Sequence, residues 1–182
     1  MKTSFAFALA LSLLAACTSA STSLDDFDIT RTASVAIKGS PLSQLLQPLG
    51  FAGWTDMNLS SSAEMQNQGV KPNQIDSVKL KLLRLKVSKP AGQDLTFFKS
   101  VKFYAESKDL PKLLVAHGGP FTAGQGSVDL TLDSAELKPY VTAAAMSLTS
   151  EVDGHSPAQD TTIDATVTLR VDVNVTGAIA GN

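Results

Sequence analysis

Apolar and polar residues alternate without a break near the end of the chain. Ile163, Ala165, Val167, Leu169, Val171, Val173 and Val175 take one parity, and Thr162, Asp164, Thr166, Thr168, Arg170, Asp172 and Asn174 take the other. A period of two marks a strand with one buried face. The same period governs Phe27, Ile29, Ala33, Val35 and Ile37 against Asp28, Thr30, Thr32, Ser34 and Lys38. Between Val78 and Val87 the apolar parity switches once, at Leu82-Leu83. A β-bulge there returns the leucines to the core and keeps Lys79, Lys81, Arg84 and Lys86 on the opposite face. Without one, Arg84 and Lys86 would point inward unpaired, at high cost.

Weaker strand patterns cover Val101-Phe103-Ala105, Leu113 to Ala116, Val128-Leu130-Leu132, and Ala144 through Val152. Gly118-Gly119-Pro120, Gly124-Gln125-Gly126 and Asp153-Gly154 punctuate them. His117 is thereby read as part of a turn.

Helical signals are short. Ser40-Pro41 supplies an N-cap and first-turn proline for Leu42, Leu45, Leu46 and Leu49, and Pro48 and Gly50 stop that helix after about two turns. Phe51 and Trp54, the only tryptophan, follow it. Ser61-Ser62-Ala63-Glu64 fits a capping box, with Gly69 as the stop, and Lys71-Pro72 opens a further turn. Glu136 to Tyr140 fits one more helical turn.

Seven or eight strands with one solvated face each, turns at each junction and no long helix predict an all-β fold. The expected architecture is an antiparallel sandwich of immunoglobulin-like type, with a closed β-barrel as the alternative.

The chain opens differently. Lys2 precedes ten uncharged residues, Phe5 to Leu14, and small residues follow. That layout is an export signal, too short for the roughly 20 residues of a membrane-spanning helix. Leu14-Ala15-Ala16-Cys17 resembles the lipobox of bacterial lipoproteins. The resemblance implies removal of residues 1–16, a diacylglycerol thioether on Cys17 and usually a further acyl chain, palmitate-like, on the new amine. Thr18 after the cysteine, rather than Asp, implies the outer membrane in a Gram-negative cell. Two or more acyl chains, at about 0.8 kcal/mol per buried CH₂, hold a protein stably at a bilayer. The expected organisation is a signal peptide over 1–16, a lipidated tether over 17–26, a sandwich domain over 27–176 and a flexible tail over 177–182. The nine tether residues 18–26 span about 15–18 Å as a flexible coil, which holds the domain close to the membrane.

Composition narrows the function classes. The chain has 15 Lys+Arg against 17 Asp+Glu, and loss of Lys2 moves its net charge from −2 to −3. This balance gives no overall attraction to nucleic acid. Cys17 is the only cysteine, so its acylation would leave no disulfide, thiolate nucleophile or thiolate metal ligand.

The two histidines, His117 and His155, have no histidine or cysteine at ligand spacing, and no G-x-S-x-G elbow accompanies His117-Gly118-Gly119. Asp25, Asp26 and Asp28 lack calcium-loop spacing. No catalytic residue, metal site or cofactor is expected.

Two features stand out as candidate contacts. Residues 76–112 carry nine cations against four acids, and residues 129–172 carry eight acids against Lys138 and Arg170. Lys79, Lys81, Arg84 and Lys86 could face an anionic surface; cross-strand neutralisation is the favoured reading. Leu42, Leu45, Leu46, Leu49, Phe51 and Trp54 could form a lid or partner contact, although closing the core is the commoner use of such a stripe. The leading expectation is a membrane-anchored, non-catalytic module that binds another envelope protein. Its rivals are a carrier or sensor of an apolar ligand with Leu42–Trp54 as lid, and a hydrolase with a site assembled from scattered residues.

Overall fold

The computed structural model describes residues 26–40, 43 and 48–174. The signal, Cys17, most of the Leu42–Leu46 stripe and the last eight residues lie outside them. Eight strands form the described fold: β1 (Asp26–Ile37), β2 (Ile75–Lys89), β3 (Phe98–Ser107), β4 (Leu110–Gly118), β5 (Ser127–Asp129), β6 (Thr131–Leu132), β7 (Ser147–Gly154) and β8 (Thr161–Val173). They make two four-stranded sheets, in orders β1-β8-β2-β5 and β6-β4-β3-β7. All pairings are antiparallel. The protein is therefore an antiparallel β-sandwich and not a closed barrel.

The alternation along β8 is the reason for its central place. Ile163, Ala165, Val167, Leu169 and Val171 are each at most 2% exposed, and the opposite parity forms the outer face of the first sheet. Hydroxyls there pair across strands, Thr30 with Thr168 and Thr32 with Thr166, each at 3.0 Å. β2 crosses the sheet with the expected bulge, which falls between Leu80, opposite Leu169, and Leu82, opposite Thr168. Leu80, Leu83 and Leu85 are buried while Leu82 is only half-buried. The bulge thus returns all but one of the leucines fully to the core.

Several boundaries differ from expectation. β1 takes in Asp26, one residue of the expected tether. Val128-Leu130-Leu132 is not one strand. β5 pairs with β2 and β6 with β4, so the chain changes sheets at the buried Leu130, whose N–H donates to the Leu83 carbonyl at 2.9 Å. A corner of this kind is how a strand serves both layers of a sandwich. His117 lies within β4, before the turn.

The first described helix, α1 (Ala63–Asn67), is capped by Ser62 and not by Ser61. Glu64 is therefore one place short of a capping box. It is instead clamped by Arg31, whose Nη1 and Nη2 donate to its two carboxylate oxygens at 2.6 and 2.9 Å. Arg31 stands on the inward parity of β1, between Ile29 and Ala33. An inward-pointing charge on an edge strand disfavours pairing with a foreign strand. α2 (Lys138–Val141) buries Tyr140 and Val141.

Gly154 is among the glycines fixed by space. A Cβ on Gly154, where β7 ends, would lie 2.2 Å from the Phe97 carbonyl oxygen.

The aromatic centre joins the two layers. Trp54 is 1% exposed, 4.9 Å from Phe51 and 6.0 Å from Phe103 between ring centroids. Its Nε1–H is buried without a hydrogen-bond partner among the described residues, which costs about 1–3 kcal/mol. Trp54→Phe should therefore destabilise by only about 1–2 kcal/mol, less than the 3–5 usual for large core truncations. Denaturant titration measures this. The wild-type tryptophan emission should be blue-shifted and move red on unfolding.

Arg31 holds the Glu64 carboxyl down at about 2, from 4.5, chiefly through its hydrogen bonds. This contribution is fully present above pH 4.5 and is lost as pH falls through about 2. With both side chains about one-third exposed, solvent screening limits it to about 1 kcal/mol. Glu64→Gln should lower stability at pH 7 by about that amount and flatten the acid limb of the stability curve.

Candidate functional site

The outer face of the first sheet decides what its cations can do. Arg84 lies directly opposite Asp129 of β5 and grips it side-on, with Nε to Oδ1 at 2.5 Å and Nη2 to Oδ2 at 2.8 Å. Those hydrogen bonds hold the Asp129 carboxyl below its usual range. Lys81 reaches past β8 to Asp28 at 2.6 Å, which lowers the Asp28 carboxyl, with Arg170 adding to the effect. Arg170 also donates to Asp26. Asp26 and Asp28 are thus engaged with cations, and Asp25 lies outside the described residues.

Lys79 faces Arg170 across the ladder, and Lys86 faces Asp164, whose carboxylate accepts from Ser34 and Ser88. Neither lysine makes an ion pair among the described residues. Cross-strand neutralisation therefore accounts for Lys81 and Arg84 and leaves Lys79 and Lys86 as the available charges. Amine-directed acylation read by mass spectrometry should label Lys79 and Lys86 ahead of Lys81.

Of the apolar stripe, the described members Leu49, Phe51 and Trp54 are 6%, 4% and 1% exposed and belong to the core. Leu42, Leu45 and Leu46 lie outside the described residues. The segment from Leu49 to Met57 runs along the free edge of β7. Leu49 N donates to Ser150 Oγ at 2.7 Å, Leu148 N to the Trp54 carbonyl at 2.9 Å, and Met57 and Met146 exchange two bonds at 2.7 and 2.9 Å. Edge protection and core closure are what this segment does structurally.

The histidines do not converge. His117 Nδ1 lies 3.0 Å from Asp133 Oδ2 on the exposed face of β4, while His155 Nδ1 meets the Ser156 carbonyl at 3.0 Å. Among the described residues, no group of three or more His, Cys, Asp or Glu side chains could hold a metal ion.

A concavity lies elsewhere, at the end of the second sheet. It is a cleft of about 720 Å³ between the β3–β4 hairpin and the segment from α2 to β7. Glu106, Lys108 and Asp109 come from the hairpin, Ala143 to Ala145 from the segment after α2, and Asp56 from the crossover before α1. Hydrogen bonds fix its walls: Ser107 Oγ donates to the Ala145 carbonyl at 2.9 Å, and Asp56 N donates to Ser147 Oγ at 3.0 Å. Tyr140 Oη donates to the Pro111 carbonyl at 2.6 Å and ties α2 to β4. Asp56 has φ 52°, a left-handed conformation that aspartate and asparagine accept better than most residues. Glu106 accepts from Thr149 Oγ1 at 2.5 Å and lies 3.5 Å from Lys112 Nζ, so it is partly neutralised. The Asp56 and Asp109 carboxylates have no bonded partner among the described residues.

No part of this cleft was singled out in the sequence. Its lining comes from three separated segments of unremarkable composition, and only the positive φ at Asp56 and the Ala143-Ala144-Ala145 run mark it locally. No protein-family model matches the chain, and no curated protein is significantly similar to it. Among the described residues, no helix is long and apolar enough to cross a membrane.

Proposed function

We propose that this protein is a lipid-anchored envelope protein whose sandwich domain is a non-catalytic binding module. The observation that carries the reading is Leu14-Ala15-Ala16-Cys17 placed behind an uncharged run and a short distance before β1, which begins at Asp26. Acyl chains on Cys17 would hold the domain at a bilayer, with the outer membrane as the site if the cell is Gram-negative. Another envelope protein is the proposed partner.

The arrangement of side chains supports a binding role over a hydrolytic one. The imidazole of His117 is engaged by a single carboxylate on an open strand face, and His155 by a main-chain carbonyl. The cleft, by contrast, is held by hydrogen bonds from both walls, a preformed shape suited to a ligand. An apolar-ligand carrier would need Phe51 and Trp54 to leave the core, and each buried aromatic ring contributes several kcal/mol there. That cost favours the module over the carrier.

Cys17→Ser tests the anchor. The wild-type protein should sediment with membranes, incorporate labelled palmitate and shift in mass relative to the variant, which should be released. A variant that still sediments, with unchanged mass, would overturn the reading.

A further inference from the structure

The geometry points to the cleft between the β3–β4 hairpin and Ala143–Ala145 as the docking site for a partner's short apolar peptide segment bearing a lysine or arginine. This deepens the binding-module reading, and rests on it only for the supposition that a protein partner exists.

Three observations meet at the cleft. Its volume of about 720 Å³ falls within the roughly 300–1,000 Å³ of sites that enclose a whole small ligand. Ala143, Ala145 and the exposed Ala144 line it together with Leu110 and Pro139, so it offers apolar contact with little bulk from the alanines. Carboxylates line it from two segments: Asp109 on the hairpin and Asp56 on the crossover have no bonded partner among the described residues, and Glu106 and Lys108, the one cation in the lining, join them. Charge complementarity therefore selects a cation, and the apolar part of the lining selects apolar atoms next to it. An anionic peptide or a phosphate would meet two carboxylates without a bonded partner among the described residues. The walls are already fixed by Ser107, Ser147 and Tyr140, so binding requires little ordering of the protein. The volume exceeds one side chain, which favours a peptide over a lone amine.

The test uses purified full-length protein in neutral detergent and calorimetric titration with three probes: acetyl-Ala-Ala-Lys-Ala-Ala-amide, its glutamate counterpart, and butylamine. The lysine peptide should bind saturably, more tightly than butylamine, and more weakly as salt is raised. The glutamate peptide should not bind. Asp56→Asn and Asp109→Asn should each weaken the lysine peptide about two- to fivefold, as expected for exposed charge pairs. Asparagine also accepts the left-handed backbone at position 56, and melting curves check that each variant is folded. Lys108→Gln should strengthen binding, and Ala144→Arg, which sets a cation into the cleft, should abolish it.

Opposite signs for the aspartate and lysine variants would not arise from general loosening of the fold. Equal binding of the lysine and glutamate peptides, no binding of either, or no response to the aspartate variants would overturn the proposal. Butylamine binding as tightly as the peptide would overturn the peptide as its source. Failure here leaves the Cys17 anchor standing, and failure of the anchor leaves the titration unaffected.

Discussion

Strand β8 satisfies its backbone on both edges, against β1 from Asp26 to Ile37 and against β2 from Ile75 to Lys89. Its inner parity supplies Ile163, Ala165, Val167, Leu169 and Val171 to the core, and its outer parity supplies the partners of β1 and β2 on the solvent side. A slip of one residue would turn every one of these inside out. The bulge near Lys81 keeps the longer β2 in phase with it, and the hydroxyl and carboxylate pairs on the outer face match the same register. The second sheet closes over the inner face through Phe103, Val101 and the Phe51–Trp54 cluster.

That arrangement explains which parts of the fold were legible in the residues. β1, β2 and β8 were legible because half-buried strands write their faces into a period of two. The bulge in β2 was legible because the parity switch left two cations with no other acceptable place. The corner at Leu130 was not, since Val128, Leu130 and Leu132 alternate identically whether they stay in one sheet or cross between two. The Ser61–Glu64 box was displaced by tertiary structure. A bidentate guanidinium from Arg31 binds the carboxylate more strongly than a single main-chain N–H does.

The candidate sites divide along similar lines. Lys81 and Arg84 were recognisable as an outward row, but their partners Asp28 and Asp129 are fixed by strand order, which the alternation does not encode. Leu49, Phe51 and Trp54 read as core more readily than as lid, since a surface stripe usually buries its apolar face, and the structure uses them as core. The cleft was invisible because its walls meet only after folding, from residues near 56, 108 and 144. Arg31 could have been found: it is the one charged residue interrupting the apolar parity of β1.

The antiparallel pairing of the first and last described strands has a mechanical consequence. Asp26 and Asp172 lie side by side, so a pull on the amino terminus against the carboxyl terminus loads the ladder at one end. The hydrogen bonds then give way in succession, as in a zipper, where a shear geometry would make them resist together. The first rungs to feel that pull are those where Asp26 and Asp28 hold Arg170 and Lys81. This charged cluster is the latch of the zipper, and salt concentration sets how firmly it is fastened.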